Sequence, residues 1–248
     1  MLEIEDLNIS IGAHQIVSLE HLSIPAGRRL GLVGESGSGK TMTAMSIIGL
    51  LPREAVVTGS IKFSGVEMVN RPERELSNFR GSEIGTIFQD PLRALNPTMR
   101  VGKQVGEALR LHNTVPNKGV KQRTVELLDQ VQLPDSAALA RRYPHQLSGG
   151  QQQRVLIAMA IACNPKLLIA DEPTTALDVT VQKEILELLA RLSAERGMAV
   201  LFVSHDLGVI QSISDHVAVL YGGSLVETGP TDQIVGSPRH RYTEALIN

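Results

Sequence analysis

Residues 34–41 read GESGSGKT, which fits the spacing G-x-x-x-x-G-K-[ST] at every position. Gly34, Gly37 and Gly39 let the backbone turn tightly enough for consecutive N–H groups to point inward at a phosphate, Lys40 brings a positive charge, and Thr41 offers a hydroxyl to Mg²⁺. Glu35, Ser36 and Ser38 complete the cradle. The flanks supply the context that such a loop needs: residues 29–33 (RLGLV) read as a short apolar strand and 41–51 as the start of a helix, whose N-terminus favours an anion. The stretch predicts a nucleoside triphosphate site on an α/β frame.

Taken in order, the chain supplies the rest of that frame. Leu2, Ile4, Leu7, Ile9 and Ile11 nearly alternate with polar residues, as in a half-buried strand with a slip at Asp6. A second strand through 19–24 ends at Pro25-Ala26-Gly27, a turn into the phosphate-loop strand. Residues 59–65 (GSIKFSG) form another short alternating strand, so an antiparallel layer beside the nucleotide core is expected. A charged helical piece follows Arg71-Pro72, and 83–89 (EIGTIFQ) reads as a strand. From Pro91 to about Ala162 the texture changes to helices without strands, with helical apolar spacing in 101–112 and 119–132. That is an insertion in an α/β core. The core resumes with 166–171 (KLLIAD), too apolar to be exposed on either face and therefore placed centrally in a parallel sheet. An amphipathic helix over 178–196, a buried strand over 198–204, a helix over 206–214 and a hairpin of 216–221 and 224–228 around Gly222-Gly223 complete it. The expected divisions are a core with its β layer (1–90 and 163–229), a helical subdomain (91–162) and a short terminal segment (230–248) within one domain.

Composition narrows the partners. With 248 residues and 42% apolar content the chain can bury a large core, while a net charge of −2, 3% aromatics and no Trp leave neither a basic footprint nor a stacking platform for nucleic acid. One cysteine, Cys163, excludes an internal disulfide and a Cys-ligated metal site. No basic segment precedes an apolar run at the N-terminus, and no stretch of about 18 apolar residues occurs. The expectation is a soluble intracellular protein that meets a membrane only through a partner.

Three further features carry chemistry. Asp171 and Glu172 fall at the carboxyl end of a central strand, where open α/β sheets place their ligand crevice. One carboxylate there can hold Mg²⁺ while its neighbour polarises an attacking water. His205 follows the next strand and brings an imidazole to the same rim, facing the γ-phosphate or the water. Residues 147–151, LSGGQ, open a helix inside the insertion; Gly149 and Gly150 expose N–H groups at its positive end, and Ser148 adds a hydroxyl, so Ser148–Gln151 is built to hold an anion.

The ordered set GESGSGKT, Gln89, LSGGQ, LLIADEP and SHD resembles the nucleotide-binding subunit of an ABC transporter over essentially the whole chain. The resemblance implies a P-loop NTPase (RecA-like) core with an N-terminal antiparallel β layer and an inserted α-helical subdomain, and an ATPase using ATP and Mg²⁺. It implies that 34–41 is the Walker A loop, Asp171 the Walker B carboxylate for Mg²⁺, and Glu172 the general base. Gln89 matches the Q-loop glutamine, which contacts Mg²⁺ and water and links the site to a membrane subunit. Ala176-Leu177-Asp178 matches the D-loop and His205 the switch histidine. In the family, LSGGQ serves the nucleotide of a second subunit, with Ser148 and Gly150 on its γ-phosphate, so hydrolysis requires a dimer. The physics agrees: one phosphate loop covers one side of a γ-phosphoryl group whose charge must be neutralised on several oxygens, and a helix N-terminus from a partner completes the cage.

Residues 88–99 (FQDPLRALNPTM), VGKQVGEAL, YPHQLSGG and SPRHRYTEAL are similar to the peptide/nickel (Opp/Dpp/Nik) importer branch. The resemblance implies a second, homologous or identical ATPase subunit, two permease subunits docked on about 90–113, an extracytoplasmic binding protein, and a place at the cytoplasmic face of the membrane. The cargo is then an oligopeptide, or nickel or another metal chelate. Three departures stand out. The expected adenine-stacking position holds Ile11 or Ala13, leaving an aliphatic surface or His14; Gln152-Gln153-Arg154 follows LSGGQ; and Arg241 stands where a Pro is usual. The lack of a cysteine-bearing tail after SPRHRYTEAL inclines the reading toward the short, nickel-like members. The competing expectation is a soluble ABC ATPase accessory subunit, as in phosphonate-cleaving machinery.

Overall fold

The computed structural model describes residues 1–175 and 177–247, without the side chain of Leu92. Strands β1 (Leu2–Ile11) and β2 (His14–Ile24) form a hairpin, and β3 (Arg29–Val33) runs into the phosphate loop and α1 (Lys40–Ile47). Next come β4 (Ala55–Phe63), β5 (Val66–Glu67), α2 (Glu73–Phe79) and β6 (Ile84–Ile87). Helices α3 (Pro91–Ala94), α4 (Val101–Leu111), α5 (Val120–Gln130), α6 (Ser136–Leu139), a 3₁₀ turn (Pro144–Gln146) and α7 (Gly149–Ala160) then follow without a strand among the described residues. The chain ends through β7 (Leu167–Asp171), α8 (Val179–Arg196), β8 (Ala199–Ser204), α9 (Leu207–Gln211), β9 (His216–Tyr221), β10 (Ser224–Pro230), α10 (Thr231–Gly236) and α11 (Arg241–Ile247).

The strands join in one sheet of order β5-β4-β1-β2-β10-β9-β3-β8-β7-β6. Its second half is parallel from β9 through β3, β8 and β7 to β6. Its first half is antiparallel, as expected for the layer, and the halves meet where Ser224 of β10 pairs with Ser18 of β2. The slip at Asp6 is a bulge: Glu5 pairs with Ser60 and Asn8 with Thr58, so Asp6 and Leu7 oppose Gly59 alone, and Asp6 takes φ +49°. Two expected strands are longer than their sequence signals. β2 starts at His14 and β4 at Ala55 because pairing with β1 extends them, β2 through the polar His14 and Gln15 and β4 through Ala55–Thr58. β7 lies next to the edge strand rather than at mid-sheet; β6 and β8 flank it and helices cover it, so all five of its residues are buried.

Two apolar clusters lie on the two faces of the sheet. One packs α4, α5, α7, α8 and α9 on Leu168, Val200 and Phe202. The other gathers Ala44, Ile47 and Ile48 at α1 with Leu2, Ile4 and Phe63 of the antiparallel strands and Ile169, Leu201 and Ala218 of the parallel ones. The caps match the chain: Asp178 accepts from Val181 N–H at 3.0 Å to start α8, and Asp206 from Val209 N–H at 3.2 Å to start α9. Among the described residues no helix is long and apolar enough to cross a membrane.

Candidate nucleotide site

The parallel register brings the candidate residues to one rim. Val33 pairs with Ser204, Asp171 with Val203 and Ile87 with Ala170, so the chain leaves β3, β7, β8 and β6 side by side. The phosphate loop, Asp171-Glu172, His205 and Gln89 are the residues that emerge there, at the carboxyl ends of parallel strands.

Within the loop Glu35, Ser36 and Gly37 are exposed, and Gly34, Ser38, Gly39 and Lys40 are buried. Lys40 folds back, its ammonium donating to the carbonyls of Gly34 at 2.7 Å and Glu35 at 2.8 Å. Burial lowers its pKa, against the pull of Glu172 and Asp171. Only glycine fits at position 34, since a Cβ there would stand 2.2 Å from the carbonyl oxygen of Leu220. Thr41 donates from its hydroxyl to Asp171 Oδ1 at 3.2 Å. Burial raises the Asp171 pKa, the Thr41 hydroxyl opposes this, Glu172 adds to the rise and Lys40 lowers it. Thr41 and Asp171 form an all-oxygen pair with the Gln89 carboxamide beside them, a donor set that fits a hard cation such as Mg²⁺, which takes one or two carboxylates and completes its shell with substrate phosphates. Among the described residues no cluster of three or more His, Cys, Asp or Glu could hold a metal by itself.

Glu172 is the most elaborately held side chain of the rim. Its Oε2 accepts from Gln89 Nε2 at 2.7 Å and from the Thr175 hydroxyl at 2.9 Å, while His205 Nδ1 lies 3.3 Å from Oε1. The backbone is special too: Glu172 has φ +45°, a left-handed conformation that costs a non-glycine residue about 1–3 kcal/mol and concentrates at functional sites. Its N–H still continues the ladder, donating to Val203 at 3.0 Å. The sequence reading brought together Gln89, Glu172 and His205 but missed Thr175; a hydroxyl three residues after a carboxylate, two past Pro173, is the signal that could have found it.

LSGGQ lies apart. Ser148 caps α7, accepting from Gln151 N–H at 3.3 Å, and Gln151 Oε1 accepts from Ser148 N–H at 3.2 Å, which closes a capping box. None of these bonds reaches the phosphate loop of the same chain. A Cβ at Gly149 would make an ordinary contact with Leu177 Cδ2 at 3.4 Å, but one at Gly150 would meet Val181 Cγ1 at 2.8 Å, so Gly150 lets α7 close on the start of α8. Of the residues matched to the D-loop, Ala176 lies outside the described residues. At the tip of the β1–β2 hairpin Ile11 pairs with His14, which is exposed. The sequence placed no aromatic near the nucleotide; the structure brings Tyr221 and Tyr242, ring centroids 4.4 Å apart, to the Glu35 side of the loop.

With that geometry in view, the chain compares closely with known proteins. The ABC transporter family matches residues 17–175. The chain belongs to the ABC transporter family. It is 47% identical over its full length to the oligopeptide transport ATP-binding protein OppD of Bacillus subtilis, covering 71% of that protein. It is also 47% identical to the peptidoglycan transport ATP-binding protein YejF of Agrobacterium fabrum, of which it spans 46%. Among solved structures, the dimeric ATP-binding cassette MJ0796 in a post-hydrolysis state with ADP and Pi superposes with a TM-score of 0.81 at 28% identity, covering 93% of this chain and 99% of that one. The ABC ATPase fold expected from the sequence is therefore the fold observed, and the enzyme class is that of an ATPase.

Proposed function

We propose that this chain is the ATP-hydrolysing subunit of an ABC importer whose cargo is a peptide, working as a dimer at the cytoplasmic face of a membrane. The observation that carries the ATPase part is the Glu172 carboxylate, held on three sides by Gln89, Thr175 and His205 beside the phosphate loop. In this reading the loop N–H groups of 34–41 and the Lys40 ammonium bind the phosphates, and Thr41, Asp171 and Gln89 hold Mg²⁺. The bound ion supplies charge neutralisation on the phosphate oxygens. Glu172 takes the proton of the attacking water as its oxygen bonds to the γ-phosphorus and the bond to the β-phosphate oxygen breaks, leaving ADP and phosphate. His205 orients that water or the γ-phosphate.

A dimer is required in this reading because the bonds of Ser148 and Gln151 do not reach the phosphate loop of their own chain, so Ser148, Gly149, Gly150 and Gln151 would serve a partner's nucleotide; the ABC cassette MJ0796 is dimeric. Its mate is a second ABC ATPase subunit, identical or homologous. The permease is proposed to dock on about 90–113 and the exposed Phe88, at the outer wall of a groove of about 410 Å³ whose inner wall is Thr41, Gln89 and Asp171. This groove gives a membrane subunit mechanical access to the rim, and the exposed Phe88 ring offers it an apolar anchor. The names of the similar proteins, OppD and YejF, favour an oligopeptide or muropeptide over nickel as cargo. An extracytoplasmic binding protein would deliver that cargo to the permease.

The test is co-purification with its membrane subunits followed by reconstitution in vesicles. Peptide-stimulated ATP hydrolysis and uptake support the reading. Hydrolysis without any membrane partner, unaffected by peptide, would move the chain to the soluble accessory class, and stimulation by nickel alone would change the cargo.

A further inference from the structure

Tyr242, in α11, brings its hydroxyl 2.8 Å from the backbone nitrogen of Glu35, whose N–H donates to it. That N–H belongs to the same peptide unit as the Gly34 carbonyl, which accepts from Lys40 at 2.7 Å. In a trans peptide the C=O and N–H point to opposite sides of one rigid plane, so this plane is fastened at both ends, by Lys40 and by Tyr242. Gly34 places little steric restraint on the torsion beside the plane, so these two bonds decide its orientation.

Tyr242 is itself firmly placed. Its ring packs against Tyr221, with centroids 4.4 Å apart, and Tyr221 ends β9, the strand that pairs with β3 beneath the loop. The start of α11 is tied down by Glu227 of β10, whose carboxylate accepts from the N–H groups of Arg239 at 2.8 Å and His240 at 3.1 Å. Burial opposes ionisation of Glu227, but Thr243 and these N–H groups outweigh it and hold the carboxyl below its usual range, so the tie is charged near neutral pH. The polar tie matters because Thr243 is the one buried residue of α11 among those described.

We propose that Tyr242 is a positioning residue for nucleotide binding: its hydroxyl locks the Gly34–Glu35 peptide plane, and the plane in turn sets where Lys40 stands. The inference rests on residues 34–41 being the phosphate loop. It also has a reciprocal side, because a contact that favours nucleotide binding must itself be strengthened when nucleotide binds. ATP therefore tightens the docking of α11.

The test compares the full chain with Tyr242→Phe, which keeps the ring against Tyr221 and removes only the hydroxyl. ATP affinity is read by titration, and the docking of α11 by amide hydrogen exchange over 241–247 with and without ATP. Expected for Tyr242→Phe is a Kd for ATP raised about three- to tenfold, the size of one neutral hydrogen bond, with the melting temperature little changed. ATP slows exchange over 241–247 in the unmodified chain and does so much less in the variant. An unchanged Kd with the same ATP-dependent slowing overturns the proposal, as does a Kd that rises only in step with loss of folded protein. Should the unmodified chain not bind ATP, the phosphate-loop reading itself falls, which is a different result from a variant that binds normally.

Discussion

Gln89 Nε2 donates to Glu172 Oε2 across 2.7 Å, joining residues 83 positions apart in sequence. One leaves β6 and the other leaves β7, and the parallel register of those strands makes them neighbours. A carboxylate oriented in this way is ready to accept a proton, so Glu172→Gln should keep ATP binding, since volume and hydrogen bonds are nearly conserved, and lose about 10²–10⁴-fold in turnover. Nucleotide binding and phosphate release measured on the same preparation check this. Gel filtration with ATP should show a dimer that persists, and undiminished turnover would take Glu172 out of the role of base.

Thr175 supports the same oxygen from the other side at 2.9 Å. Replacing it by Val removes the hydroxyl and keeps the shape, so kcat should fall about three- to tenfold, as for one hydrogen bond, while KM for ATP stays put. Thr175→Ser should recover most of the loss; a kcat equal to the unmodified enzyme's would show that Gln89 and His205 suffice.

LSGGQ permits a sharper separation. Ser148 is exposed, so Ser148→Arg should leave nucleotide binding by the isolated subunit intact and abolish hydrolysis by blocking the partner's nucleotide. Gly150→Ala is a different experiment: its new methyl meets Val181 Cγ1 at 2.8 Å, and the crowding should cost about 1–3 kcal/mol of stability in denaturant melts. Turnover surviving Ser148→Arg would defeat the shared-site reading.

Asp215 accepts from the backbone N–H of Arg29 at 2.9 Å and from its guanidinium at 2.8 Å. Burial would raise its pKa, but the Arg29 bonds outweigh burial and hold the carboxyl below its usual range. A folded pKa below the unfolded value of about 3.9 means that the stabilisation is complete above that value and is lost as pH falls through the folded pKa. Asp215→Asn should therefore be less stable than the unmodified chain at pH 7, by about 1–2 kcal/mol, and the two should converge on acidification below about pH 4. Urea melts across that range decide it; a constant gap down to the lowest pH would assign the effect to something other than the charge.

Much of the architecture was legible because its signals are local. The phosphate loop, the buried run at β7 and the amphipathic spacing of α4, α5 and α8 each announce an element within a dozen or so residues. What escaped depends on distant partners. His14 and Gln15 of β2 are polar, and they, like Ala55–Thr58 of β4, become strand by pairing with β1. Thr175 is an ordinary hydroxyl until Glu172 adopts φ +45° above it. Tyr242 stands 207 residues from Glu35, and no spacing rule in a linear sequence links them. Gly150, which the sequence marks as an anion-holding glycine, also stands where a Cβ would lie 2.8 Å from Val181 Cγ1, a second constraint that no local spacing displays.

The helix that begins at Lys40 shares one apolar cluster with both kinds of strand, Leu2, Ile4 and Phe63 from the antiparallel half and Ile169, Leu201 and Ala218 from the parallel half. A helix packed in this way shares its contacts with both halves of the sheet, so displacing it disturbs both at once. The helices on the opposite face rest on a separate set of apolar contacts. Loosening that face therefore need not unseat the helix that carries Lys40.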